Sequence, residues 1–258
     1  MKYFNSLPFY FFALCILGTH LQASASTDPD WEAFVKNYGR YVEKKLKVKK
    51  IPGGALSIVN AQARDYIHTM GHTKVRSGQK INPHTRFRLA SVSKTFAGSL
   101  AAKLANEEQL NLYFPVSHYI PEFKQTDYKD DLKVFHILSH SSGLVPNAYD
   151  NLIESRMGYS DIVEKLLSVK PICEPGDCYG YQNVMFSLID DVILKSTNKT
   201  YTQWLNDAFF IPLKMNDASL GYDAMVQDSN YAHPHVRGKK RWYSARLKKN
   251  YYKVAPAA

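Results

Sequence analysis

From Asp28 to Lys47, apolar residues recur at helical spacing, at Trp31, Phe34, Tyr38, Tyr41 and Val42. They predict an amphipathic helix capped by Asp28 or Asp30, with lysines at the end that suits its dipole. Pro52-Gly53-Gly54 breaks that period. Two short apolar runs follow, Ala55 to Asn60 and Asp65 to Met70, divided by polar residues, and read as a hairpin. Gly71 to Pro83 is a loop. Helical spacing returns from Ser91 to Glu108, through Phe96, Leu100, Ala101 and Leu104. Leu112 to Phe123 holds two prolines and is expected to be irregular. Further helices are predicted over Val134 to Leu138, Asp161 to Val169, Tyr181 to Lys195 (apolar face Val184, Leu188, Val192 and Ile193) and Tyr201 to Phe210. The pattern is α+β: a small N-terminal sheet, then a helical region spanning about residues 91–215.

The first 25 residues carry a different signal. Lys2, an apolar run from Leu7 to Gly18 and the small-residue stretch Ala23-Ser24-Ala25 resemble a secretory signal peptide. The expected mature chain begins near Ser26, and residues 26–258 are read as one domain with no membrane span. Cys15 lies within the apolar run, behind the bulky Leu14, which argues against lipidation. An exported chain meets an oxidising compartment, so Cys173 and Cys178, flanking the turn-forming Glu-Pro-Gly-Asp, can form a small disulfide loop or remain free thiols. Their spacing excludes a C-x-x-C metal or redox site, and no metal or cofactor is expected.

The 258 residues carry a net charge of +10, much of it in Lys44–Lys50 and Arg237–Lys249. The second run interleaves bases with Trp242 and Tyr243, as a nucleic-acid patch would. For an exported protein a solvated hairpin or helix face is the better reading, and no nucleic-acid partner is expected.

The residues that carry chemistry begin at Ser91-Val92-Ser93-Lys94. A hydroxyl is a poor nucleophile until a base takes its proton. Positions three apart share a helix face, so Ser91 at a helix start comes near the Lys94 amine, where free N–H groups favour developing negative charge. Tyr181-Gln182-Asn183 opens a later helix: a phenol beside a cation can relay protons, and an amide can hold a substrate carbonyl. Each motif alone is weak, and a capping serine with a surface lysine is the plain alternative.

Together they carry a resemblance. Phe87-Arg88-Leu89-Ala90-Ser91-Val92-Ser93-Lys94-Thr95-Phe96 resembles the nucleophile motif of class C β-lactamases and of their esterase and D-Ala-peptidase relatives. Glu107 to Leu112, Pro115-Val116 and Tyr119 to Phe123 are similar to the segment that follows it. Ile137-Leu138-Ser139-His140-Ser141-Ser142-Gly143-Leu144, Pro175-Gly176 with Tyr179-Gly180-Tyr181-Gln182-Asn183, and Pro212-Leu213-Lys214-Met215 match further family motifs in order. The resemblance, to the serine β-lactamase and penicillin-binding-protein superfamily, covers Ile51 to Leu220. It implies a β-lactamase/transpeptidase-like fold and an acyl-enzyme on Ser91. Lys94 and Tyr181 would share the proton transfers, a scheme in which the identity of the base is disputed for the family at large. Asn183 would hold the substrate amide, and the Ser91 N–H would be one oxyanion donor. His140 and His233-Pro234-His235 fall in matched motifs with structural roles.

The sequence departs from the family pattern at one end. No K-T-G or H-x-G motif follows Tyr181, and the chain stops at Val254-Ala255-Pro256-Ala257-Ala258, which resembles a stretch that normally precedes a helix, that third motif and the last strands. The expectation is the front portion of the fold, C-terminally truncated. The function expected is that of a periplasmic or secreted bacterial serine hydrolase acting on β-lactams, D-Ala–D-Ala peptides or small esters. The alternative is an inactive remnant or a peptidoglycan- or ligand-binding module.

Overall fold

The computed structural model describes residues 29–61, 65–155 and 157–257; the signal-peptide reading of residues 1–25 lies outside them. Helix α1 (Pro29–Val48) opens on a proline, whose missing N–H costs nothing at a first helical position. It leads into an antiparallel hairpin of β1 (Gly53–Ile58) and β2 (Tyr66–Gly71), paired from Gly53 opposite Gly71 to Ile58 opposite Tyr66.

The aromatic stripe of α1 does not face this sheet. Val35 and Gly39 are the buried positions, while Phe34, Tyr38 and Tyr41 stay 52%, 44% and 54% exposed. The reason is Gly39: with no side chain there, the Tyr66 ring of β2 lies directly on the helix backbone. The displaced aromatics stack on one another, with Phe34–Tyr38 and Tyr38–Tyr41 centroids 6.0 and 6.1 Å apart.

The rest of the core is helical. A 3-10 turn (Ala90–Val92) runs into α2 (Ser93–Asn106), followed by α3 (Val116–Tyr119), a 3-10 turn (Pro121–Gln125) and α4 (Val134–Leu138). Leu112 to Phe123 is thus more ordered than its prolines suggest: Pro121 sits at the first position of its turn, where it does no harm. Then come α5 (Asp150–Ile153), α6 (Tyr159–Leu167) and α7 (Asn183–Thr197). Helix α7 is the axis of the core. Val184, Leu188, Ile189, Val192 and Ile193 are fully buried, and so nearly are Met185, Phe186 and Ser187, because α2, α4, α6 and α8 pack around it. The helix predicted to start at Tyr181 starts at Asn183. The one predicted from Tyr201 to Phe210 divides into α8 (Tyr201–Leu205), capped reciprocally by Thr200 and Gln203, and a π-turn (Asn206–Phe210).

After α9 (Tyr222–Val226), the basic segment forms the hairpin of β3 (His235–Arg237) and β4 (Trp242–Ser244). Its cations cover their own rings: Arg237 lies 5.5 Å from Trp242, and Arg241 4.9 Å from Tyr243. His235 accepts the Val75 N–H at 3.1 Å, and the His233 N–H donates to Thr73 at 2.9 Å, so this segment pins the loop after β2. A last 3-10 turn (Asn250–Val254) returns the chain to α5 and α7. No helix among the described residues is long and apolar enough to cross a membrane.

Asp190, on α7, gives a stability prediction. Burial, reinforced by the neighbouring Asp191, pushes its carboxyl up to about 6. An unfolded chain releases that proton near pH 4. Between these values the folded state binds the extra proton, so stability falls as pH rises through the window and stays lower above it. The Asp190→Asn variant is therefore expected to melt like the parent at pH 4 and to be more stable at pH 7.5, by no more than about 3 kcal/mol. Thermal melts at the two pH values check this; equal gains at both would refute it.

Candidate active site

The turn that carries Ser91 is strained at its entry. Ala90 takes φ +49°, a left-handed conformation costing an L-residue about 1–2 kcal/mol. The chain reverses there, and Ser91 emerges exposed in the 3-10 turn, two residues before the α-helix proper. The sequence pattern places it in the helix's first turn; the intervening 3-10 turn is the difference. Lys94, one turn on, is half-buried.

Tyr181 arrives by a separate route. The turn after α4 bends at Gly143, φ +82°, where a Cβ would collide with the Cys173 carbonyl. The loop 172–180 is laid along this turn by three backbone bonds, Ile172 to Gly143, Gly176 to Ser141 and Gly180 to His140, each 2.8 Å. Cys173 and Cys178 are disulfide-bonded across it, Cα atoms 6.3 Å apart. The Tyr181 carbonyl accepts the Asn147 N–H at 2.8 Å, so both neighbours of the 140–147 turn hold this residue in place.

These routes converge. Lys94 Nζ lies 2.7 Å from Tyr181 Oη and 2.8 Å from Asn183 Oδ1. Tyr181 Oη donates to Ser91 Oγ at 2.7 Å, whereas Lys94 Nζ reaches Ser91 Oγ only at 3.4 Å. The hydrogen-bonded path to the serine therefore runs through the phenol, with the amine behind it. Lys94 Nζ also stands 4.7 Å from the Tyr181 ring centroid and 5.3 Å from that of Phe186.

Two contacts had no signal in the motifs. Asn183 Nδ2 donates to Asp150 Oδ2 at 2.8 Å, which fixes the amide so that its oxygen faces Lys94. Burial raises the Asp150 pKa, against the Asn183 bonds and Lys94, which lower it. Asp150 lies outside every matched motif, and the sequence pattern predicts no helix there. The second contact is the Ala257 carbonyl, which accepts from Lys94 Nζ at 2.8 Å. Ala257 does lie in the matched Val254–Ala258 stretch, but a backbone acceptor has no residue-type signature.

His140 packs on the Tyr181 ring, centroids 4.3 Å apart, and its Nδ1 accepts the Gln182 N–H at 3.3 Å. Burial and then Lys94 hold its pKa down, so the neutral ring acts as a wall for the tyrosine. No cluster of metal-ligating side chains occurs among the described residues.

A sequence profile of the Beta-lactamase family matches residues 39–258. The chain belongs to the Beta-lactamase family. A Beta-lactamase of Escherichia coli (strain K12) is 26% identical over 200 residues, which cover 78% of this chain and 52% of that one. Protein flp of Staphylococcus aureus (strain MW2) is 26% identical over 198 residues, 75% of this chain and 39% of its own. Among solved structures, a class C beta-lactamase in complex with cefoxitin superposes with TM-score 0.73 at 23% identity, covering 88% of this chain and 61% of that chain. The penicillin-binding protein homologue from Pyrococcus abyssi, described as octameric, gives 0.71 at 20% identity, covering 86% and 55%. The fold is β-lactamase/transpeptidase-like, and this chain spans about half the length of the curated relatives it matches. Membership in the Beta-lactamase family supports serine-hydrolase-like chemistry in general terms.

Proposed function

We propose that this protein is a serine acyl-transfer enzyme that forms an acyl-enzyme on Ser91 with β-lactams, D-Ala–D-Ala peptides or small esters. The observation that carries the reading is the line Lys94 Nζ–Tyr181 Oη–Ser91 Oγ, 2.7 Å at each step. In acylation the Tyr181–Lys94 pair, in the form that holds one proton fewer than phenol plus ammonium, takes the Ser91 proton as Oγ bonds to the substrate carbonyl carbon. The carbonyl oxygen takes the negative charge beside the Ser91 N–H. When the tetrahedral adduct collapses, the bond to the leaving nitrogen or oxygen breaks and the pair returns the proton to it. Water repeats the sequence to release the acid. Asn183 holds Lys94 from the far side and borders the space where a substrate amide would lie. A periplasmic or secreted location accords with the Ala23-Ser24-Ala25 stretch and with the Cys173–Cys178 bridge.

The test is covalent labelling with a fluorescent penicillin, read on a denaturing gel and mapped by peptide mass. Label is expected on Ser91 and absent from Ser91→Ala. No label on the parent chain, under conditions that label the Escherichia coli relative, would refute the reading. Label without turnover would favour a penicillin-binding role over hydrolysis.

A further inference from the structure

A cavity of about 340 Å³ is bordered by Leu89 and Ser93 but not by Ser91 or Tyr181. That volume is within the range of small-molecule sites. Phe87, Leu89, Phe96, Leu205 and Phe210 make most of its wall apolar. One corner is not. Arg88 lines the cavity with its guanidinium 5.2 Å from the Tyr252 ring, and its Nε is buried with no hydrogen-bond partner. Among the described residues, Arg88 forms no ion pair. Tyr252 lines the same cavity, and its Oη is also buried and unpartnered. Burial raises the Tyr252 pKa, so the phenol keeps its proton and remains a donor.

Each buried donor without an acceptor is costly. Two such donors in one corner of an apolar cavity define what would satisfy them: an anionic acceptor on an apolar body. The neighbouring charges leave the corner to such a group. Arg86 is committed to Asp228 at 2.9 Å and to the Ala224 carbonyl at 2.7 Å. Asp217, the carboxylate on the cavity wall, is exposed and pairs with His84 at 2.9 Å. A second cavity, under the β1–β2 hairpin, also touches Arg88 but not Tyr252.

We propose that this cavity binds a small amphiphilic carboxylate, its chain or ring against Phe96, Leu205 and Phe210 and its head group at the corner formed by the Arg88 guanidinium and Tyr252. The site is separate from Ser91 and does not rest on the acyl-transfer reading. Leu89 and Ser93, which flank Ser91 in the chain, also border it, so an occupant would touch residues on both sides of Ser91.

Isothermal titration of the 258-residue chain with octanoate at pH 7.5, and separately with octanol, tests the proposal. Octanoate is expected to bind saturably at one site per chain, with octanol at least about tenfold weaker, since a charge-assisted hydrogen bond is lost. Arg88→Gln is expected to weaken octanoate at least about tenfold and to leave octanol unchanged. Ser91→Ala is expected to bind octanoate as the parent does. Should Arg88→Gln fail to fold, Tyr252→Phe tests the same corner, with a smaller loss in the same direction. Equal affinity for octanoate and octanol, parental binding by the corner variants, or no saturable heat would overturn the assignment.

Discussion

Replacing Lys94 by methionine is expected to slow acylation of Ser91 by about 10²–10⁴-fold, the usual range for losing a positioned acid–base group. Lys94 Nζ makes the contacts that order the whole site: Tyr181 Oη at 2.7 Å, Asn183 Oδ1 at 2.8 Å and the Ala257 carbonyl at 2.8 Å. Without the amine, the phenol loses the cation beside it and the two carbonyl oxygens lose a donor. Leaving such groups unsatisfied costs about 1–3 kcal/mol each when buried, so a lower melting temperature accompanies the kinetic loss. The companion variant, Tyr181→Phe, separates two routes for the serine proton. The phenol sits 2.7 Å from Ser91 Oγ and the amine 3.4 Å. If the proton passes through Tyr181, both variants fall by similar factors, because residues acting as one unit are not additive. If Lys94 acts directly, Tyr181→Phe retains most of the rate. The measurement is the rate constant of Ser91 labelling by a fluorescent penicillin under single-turnover conditions. Labelling of Lys94→Met within a factor of about ten of the parent would remove Lys94 from the mechanism.

Much of this arrangement was legible in the chain because it rests on local periodicity. The spacing of Val184, Leu188, Val192 and Ile193 identifies the face of α7 that fills the core, and all four are fully buried. The Ser91–Lys94 spacing puts both side chains on one face of one turn, which a sequence can show. That Tyr181 comes to the same point depends on the 140–147 turn and the 172–180 loop, and only the ordered family motifs mark those. What the sequence could not show lies where one element's position depends on another. Apolar spacing in α1 selects Phe34, Tyr38 and Tyr41, yet the Tyr66 ring seated on Gly39 turns the helix and leaves them exposed. Asp150 has no motif of its own; it matters because Asn183 reaches it across a gap of 33 residues. Lys94 meets Ala257 through a backbone carbonyl, which any residue could have offered.

The polypeptide of these 258 residues, tested alone, is expected to hydrolyse a chromogenic cephalosporin at least about 10²–10³-fold more slowly than the Escherichia coli relative, the cost of one missing oxyanion donor. On the proposed function, Ser91 would supply its own N–H to the developing oxyanion. In the resemblance drawn from the sequence, the second donor belongs to a strand carrying K-T-G or H-x-G, and no such motif follows Tyr181. The described strands form two separate two-stranded sheets, β1–β2 and β3–β4, and none of them contains that motif. A two-stranded sheet also has both edges open, and an open edge favours pairing with another chain. The half-exposed Phe34, Tyr38 and Tyr41 of α1, together with Ile67 of β2, add apolar surface near that sheet. Acylation and turnover should therefore come apart. Ser91 becomes labelled, because Lys94 and Tyr181 are in place, while catalytic hydrolysis stays slow and sedimentation shows self-association. The experiment follows cephalosporin absorbance for the 258-residue chain, Ser91→Ala and the relative in parallel, with analytical ultracentrifugation of the first. Fast, Ser91-dependent turnover by a monomer would mean that the groups already gathered around Ser91 stabilise the oxyanion without a second strand donor.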